Sequence, residues 1–171
     1  DIDPSEIGRN YPVAIGAIAD LKQALRTLNR IARQRCPQGI KRPELVAAIA
    51  ANRAAFIAEN KAGMESNAWP MQPQRILADL RTALPRDSII CTDVGWNKNG
   101  LAQQYPVYEP ASIFTPGGFA TMGFGAPAAI GAKLACPDRV VVALVGDGGF
   151  GQNPAMLATA VEQKIPVIWV I

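Results

Sequence analysis

The sequence predicts an α/β fold, a parallel sheet with helices on both faces, preceded by a helical linker region. Two observations carry this reading. SIICTD (88–93), VVVALVGD (140–147) and IPVIWVI (165–171) are almost continuously apolar rather than alternating, the pattern of strands covered on both sides. Segments of helical period lie between them, which is the order of a parallel sheet. With 171 residues, 49% of them hydrophobic, the chain can bury a core. Its Gly 15 and Pro 14 exceed average usage but fall short of low complexity.

Taken in order, DIDPSEIG (1–8) reads as the tail of a strand running into a turn. Over 17–35, Leu21, Leu25, Leu28, Ile31 and Ala32 fall on one face at helical spacing, and Pro37 and Gly39 stop the helix. Pro43 suits the first turn of a second helix, with Val46, Ile49, Phe56 and Ile57 as its apolar side and Gly63 beyond its end. ESNAWPMQP (65–73) has two prolines and no periodicity, and it reads as a linker. A third helix starts near Pro73, carries Ile76, Leu77, Leu80 and Leu84, and ends at Pro85. Beyond the strand at 88–93 come a short helix over 97–105, a short strand over 112–115 and a Gly/Ala-rich helix over 122–135. The strand at 140–147 follows, then a helix over 154–164 and the strand at 165–171. The chain starts without Met and stops inside an apolar run, so both ends read as cut.

Composition excludes several chemistries. There is no histidine, so a Ser-His-Asp triad, a Cys-His pair, a His-ligated zinc and a histidine pH switch are all ruled out. A net charge of +3 is too small to argue for nucleic acid or a membrane surface. Arg26, Arg30 and Arg33 share a face opposite the leucines, as a solvated face does, and no aromatic motif accompanies them or Arg35, Lys41 and Arg42. No apolar stretch is long enough for a membrane span, and no signal peptide opens the chain. Cys36, Cys91 and Cys136 form no CxxC pair and suit reduced thiols in a cytoplasmic protein.

Three loops fall at expected strand ends: Asp93–Asn97, Pro116–Gly125 and Gly146–Gly151. Ligands of such sheets bind beyond the carboxyl ends of the strands, where these loops converge. Asp147 ends an apolar strand and so presents a carboxylate there. A hard divalent cation such as Mg²⁺ takes carboxylate and phosphate oxygens. Gly148 and Gly149 lack a Cβ, which lets backbone N–H groups approach a phosphate. The alternative for this loop is a sharp strand-to-helix turn with Asp147 as a cap. Met122, a flexible apolar wedge among Gly117, Gly118, Gly123 and Gly125, suits either a flat ligand or the core.

GGFATMGFGAPAAIGAKLACPDRVVVALVGDGGF is similar to the signature stretch of thiamine diphosphate-dependent enzymes, and most of all to the acetolactate synthase large-subunit group. TDVG (92–95) resembles the group's first diphosphate loop, and DIDPSEIGRNYPV the end of its central domain. The resemblance is strong over 88–171, fair over 1–30 and poor through 36–72. It implies a truncated thiamine diphosphate-binding fold, with 1–40 as the end of the central domain, 41–70 as a linker with a helix, and 71–171 as the diphosphate- and Mg-binding domain. Asp147 then binds Mg²⁺. Gly146, Gly148 and Gly149 line the diphosphate, and Gly95, Trp96 and Asn97 contact its outer phosphate. Met122 supports the bent cofactor, and the Ala120 carbonyl receives its amino group. Two departures stand out: Trp96-Asn97 replaces the usual Gln-His, and Ala120 replaces a Gly, a mild change where only a carbonyl is used.

The resemblance also implies what lies elsewhere. A second metal ligand, an Asn, belongs about 27 residues after Asp147, past Ile171. The glutamate that activates the cofactor comes from a neighbouring subunit. No catalytic side chain is therefore expected in this chain, and Glu109 and Glu162 read as surface carboxylates. The implied parent is a homodimer or homotetramer that decarboxylates a 2-oxo acid such as pyruvate and joins the remainder to a second carbonyl to give acetolactate. FAD is compatible with the group, though only Asp1–Asp3 of this chain could reach it. A related 2-oxo acid decarboxylase and a non-catalytic cofactor-binding or assembly fragment are the alternative readings.

Overall fold

The apolar runs pair as one four-stranded parallel sheet in the order β2-β1-β3-β4: β1 (Ile89–Thr92), β2 (Ile113–Phe114), β3 (Val141–Leu144) and β4 (Ile168–Val170). β1 and β3 are buried throughout. The computed structural model describes residues 1–171, which divide into the units Asp1–Ala51 and Asn52–Ile171. The helices are α1 (Leu21–Arg35), α2 (Pro43–Met64), α3 (Pro73–Ala83), α4 (Trp96–Gln104), α5 (Gly125–Ala135), α6 (Asp147–Gly151) and α7 (Met156–Glu162).

The sheet lies in the second unit and is covered on both faces. Successive strand residues point to opposite sides. Ile89, Cys91, Val141, Ala143 and Val145 pack with Ala126 and Ala129 of α5 and with Phe150 and Met156. Ile90, Val142 and Leu144 pack with Leu77 of α3, and with Leu101 and Tyr105 at and after the last turns of α4. Each large aliphatic buried here contributes about 1.5–3 kcal/mol of transfer free energy. The small residues of α5 let that helix approach closely, since a Cβ at Gly125 would lie 2.7 Å from the Thr92 carbonyl carbon.

In the first unit, Asp20 caps α1 by accepting the Gln23 N–H at 3.0 Å, one of the donors a helix start leaves free. The α1 stripe forms as its spacing predicts, but Leu21, Leu25 and Leu28 stay exposed within this chain. The strand tail expected at 1–8 is instead a 3-10 turn, Pro4–Glu6. Pro4 has no N–H to give a strand ladder, and the Asp3 carboxylate takes the Ser5 N–H at 2.8 Å. α2 has no single apolar face, and it runs through Gly63, which the sequence places beyond its end.

Three further boundaries move. α5 starts at Gly125 rather than 122, because Gly123 adopts φ 92° and its N–H is drawn to another loop. The Gly146–Gly151 loop is largely helical, as α6. Helix α7 is shorter than 154–164, ending at Glu162 ahead of Lys164 at φ 54°.

Burial pushes the Cys91 thiol up from 9.0 to about 12. The folded protein therefore holds a proton that the unfolded chain releases near pH 9. Stability from this group is complete below pH 9 and is lost as the pH rises toward 12. Urea midpoints measured from pH 8 to 11 should fall less steeply in Cys91→Ala than in the parent. Equal slopes would assign the alkaline loss to other groups.

Candidate cofactor site

The register of the central strands builds the site. Thr92 lies beside Leu144, so Asp93 and the Val145-Gly146 pair leave the sheet together at its carboxyl edge. Asp93 is fully buried. Its carboxylate accepts the N–H of Gly123 at 3.0 and 3.1 Å, of Gly125 at 2.7 Å and of Val94 at 2.8 Å. One side chain thus ties the first loop to the second and sits at the start of α5, where a negative charge is favoured. Sequence reasoning gave Asp93 no role. Its only local signal is an acidic residue closing a fully buried strand.

The third loop closes on the other two through its glycines. A Cβ at Gly149 would lie 2.7 Å from the Asp93 carboxyl carbon, one at Gly148 would lie 3.8 Å from the Met122 sulfur, and one at Gly146 would lie 3.7 Å from Asn97 Nδ2. Phe150, next in α6, meets Trp169 edge-on at 6.2 Å between ring centres and holds the turn on the sheet. The convergence expected of the three loops is therefore present.

Gly95, Trp96, Asn97, Gly146 and Asp147 line one cavity of about 380 Å³, with Leu144, Val145, Val170 and α3 residues behind them. Met122 is half-exposed beside Gly148. Gly149 is buried against Asp93 and packs rather than lines. Ala120 also lies outside the cavity lining. It has φ 50°, a conformation that costs a non-glycine residue about 1–2 kcal/mol. Alanine is thus not neutral there, whichever group the carbonyl meets.

The two aspartates divide the work. Asp93 is consumed by backbone donors, whereas the exposed Asp147 carboxylate makes no hydrogen bond or ion pair and faces the cavity. No group of three or more His, Cys, Asp or Glu side chains exists that could hold a metal by itself, so a cation here needs oxygens besides Asp147. Asn97 Oδ1 is buried without a partner. A buried amide left unpaired costs free energy until a ligand or water meets it.

Asn97 is held by an unusual first turn of α4. Gly95 caps that turn at φ 117°, in the region that favours glycine. Trp96 then lays its indole along the helix over Gly100. A Cβ at Gly100 would lie 2.5–2.7 Å from three carbons of the ring. Glycine inside a helix gives up about 1 kcal/mol relative to alanine, and the indole occupies the space so released.

The family model described as "Thiamine pyrophosphate enzyme, C-terminal TPP binding domain" matches residues 93–171, the span of all three loops. Residues 93–171 thus belong to the thiamine pyrophosphate enzyme family, as its C-terminal binding domain. Its similarity to known proteins extends further along the sequence. A probable acetolactate synthase large subunit of Methanocaldococcus jannaschii is 37% identical over 98% of this chain and 28% of its own length. A sulfoacetaldehyde acetyltransferase of Roseovarius nubinhibens is 32% identical over 88% of this chain and 27% of its own. Among solved structures, a thiamine diphosphate-dependent 4-hydroxybenzoylformate decarboxylase of Rhodococcus jostii superposes with a TM-score of 0.52 at 34% identity, covering 56% of this chain and 18% of that one. The chain spans less than a third of the length of each of these proteins. None of its helices is long and apolar enough to cross a membrane.

Proposed function

We propose that this chain is the thiamine diphosphate- and Mg²⁺-binding part of a 2-oxo acid decarboxylase/carboligase of the acetolactate synthase kind, converting pyruvate to acetolactate in a cytoplasmic homodimer or homotetramer. The observation that carries it is the cavity at the carboxyl edge, which is lined by an uncommitted Asp147, by Asn97 with its unpartnered Oδ1, and by Gly146, which lies next to Asp147 in the chain and beside the Asn97 Nδ2. This set suits a magnesium diphosphate: the Asp147 carboxylate for the cation, and the Asn97 Nδ2–H with helix-terminal N–H groups as donors to phosphate oxygens, while the unpartnered Asn97 Oδ1, an acceptor, suits a water or the cation. Apart from Asp147, the lining holds no charged side chain, so the cation is what offsets the phosphate charge.

When bound, the cofactor supplies the electron sink for loss of CO₂ from a 2-oxo acid. Residues of this chain bind and orient. Asp147 holds the cation, Gly146 and Gly148 keep side chains out of the diphosphate's path, and the first turn of α4 meets the outer phosphate. Met122, beside Gly148, supplies an apolar support for the rings.

Calorimetric titration of the intact protein with thiamine diphosphate and Mg²⁺ tests this reading. Binding should require the cation, and Asp147→Ala should lose about 100-fold or more in affinity, roughly 2.7 kcal/mol. Cation-independent binding, or an Asp147→Ala protein that binds normally, would remove the basis for the site. Decarboxylation without ligation is the second reading, favoured by the similarity to the Rhodococcus decarboxylase. Pyruvate converted to acetaldehyde rather than acetolactate would select it.

A further inference from the structure

Trp96 and Gly100 stand apart from the rest of the site. Neither is placed by the strand register. Gly100 is nevertheless buried in the middle of α4, where another residue type would favour the helix. The indole of Trp96, one turn earlier, fills the space left by its missing side chain. Trp96 is 44% exposed and lines the cavity, and its seat on Gly100 holds the large ring against the helix surface. Asn97 is the next residue. Its Nδ2, the donor that a phosphate oxygen can accept from, lies beside Gly146 of the third loop, while its buried Oδ1, an acceptor, has no partner.

We propose that Trp96 and Gly100 form an interlock that fixes the first turn of α4 and thereby aims Asn97 at the outer phosphate of the diphosphate. The pair are positioning residues, and the inference rests on the cofactor reading given above. The consequence is selectivity. An Asn97 held in place discriminates a thiamine diphosphate from a thiamine monophosphate, which lacks the outer phosphate, and a loosened turn loses that discrimination.

The test is the ratio of affinities for thiamine diphosphate and thiamine monophosphate, each measured with Mg²⁺ by calorimetry on the intact protein. Gly100→Ala places a methyl where the indole lies and unseats it, while favouring the helix. Trp96→Ala removes the ring and leaves residue 100 alone, so the pair is tested from two sides. Each variant should lower the diphosphate-to-monophosphate ratio about tenfold. The double variant should be no worse than either, because both break one contact. A role confined to stability would weaken both ligands alike and leave the ratio unchanged. An unchanged ratio in both single variants, or losses that add in the double variant, overturns the interlock alone. Failure of the parent protein to bind thiamine diphosphate overturns the cofactor reading, and the interlock with it.

Discussion

Asp93→Ala should destabilise the protein by about 3–5 kcal/mol. The carboxylate is fully buried and accepts the N–H groups of Val94, Gly123 and Gly125. Hydrogen bonds to a charged acceptor contribute about 1.5–3 kcal/mol each, and removing the acceptor leaves buried donors unpaired. The Gly123 and Gly125 donors lie in loop and helix segments that water does not reach, because both residues are buried. The replacement also opens a void against Gly149, whose Cα packs on the carboxyl group. Chemical denaturation reads the stability change. Asp93→Asn should lose less, since one side-chain oxygen still accepts. A loss under about 1 kcal/mol for the alanine variant would show that the loops are held by packing instead.

The same residue shows where sequence reasoning reaches its limit. β1 and β3 were legible because burial on both faces demands apolar residues at every position, and Ile89–Cys91 and Val141–Val145 supply them without interruption. The positions of Asp147, Asn97 and Gly146 at one cavity followed from where those strands end. The grip of Asp93 did not follow, because its partners lie 30 and 32 residues along the chain and are backbone groups that leave no mark on residue type. Helix α6 was hidden for a different reason. Asp-Gly-Gly-Phe-Gly has poor helix propensity, and the turn persists through tertiary contacts, Gly149 on Asp93 and Phe150 on Trp169. Local preference is overridden there by packing, and the sequence pattern carries only the preference. The seat of Trp96 on Gly100 was equally hidden, since an isolated glycine in a helical segment reads as a weakness until the ring that fills it is placed.

Gly125→Ala should be nearly as damaging, by about 3 kcal/mol, although it adds one carbon and removes no hydrogen bond. Alanine is the better helix former, and residue 125 opens α5, so local propensity predicts a neutral or stabilising change. Packing predicts the reverse. The new Cβ would lie 2.7 and 2.8 Å from the Thr92 carbonyl carbon and oxygen, and 2.8 Å from a Val145 methyl. Two of those atoms belong to the backbone of the central strand and cannot swing aside as the indole at residue 96 can. Relief requires α5 to lift from β1, which lengthens the 2.7 Å bond from the Gly125 N–H to Asp93 and exposes Ala126 and Ala129. Overpacking and a weakened anchor therefore act together. Combining Gly125→Ala with Asp93→Ala separates them in a denaturation cycle. If lifting the helix already forfeits the anchor, the double variant loses less than the two single losses combined. Strict additivity would mean that the methyl is absorbed within the helix and the Asp93 anchor stays intact.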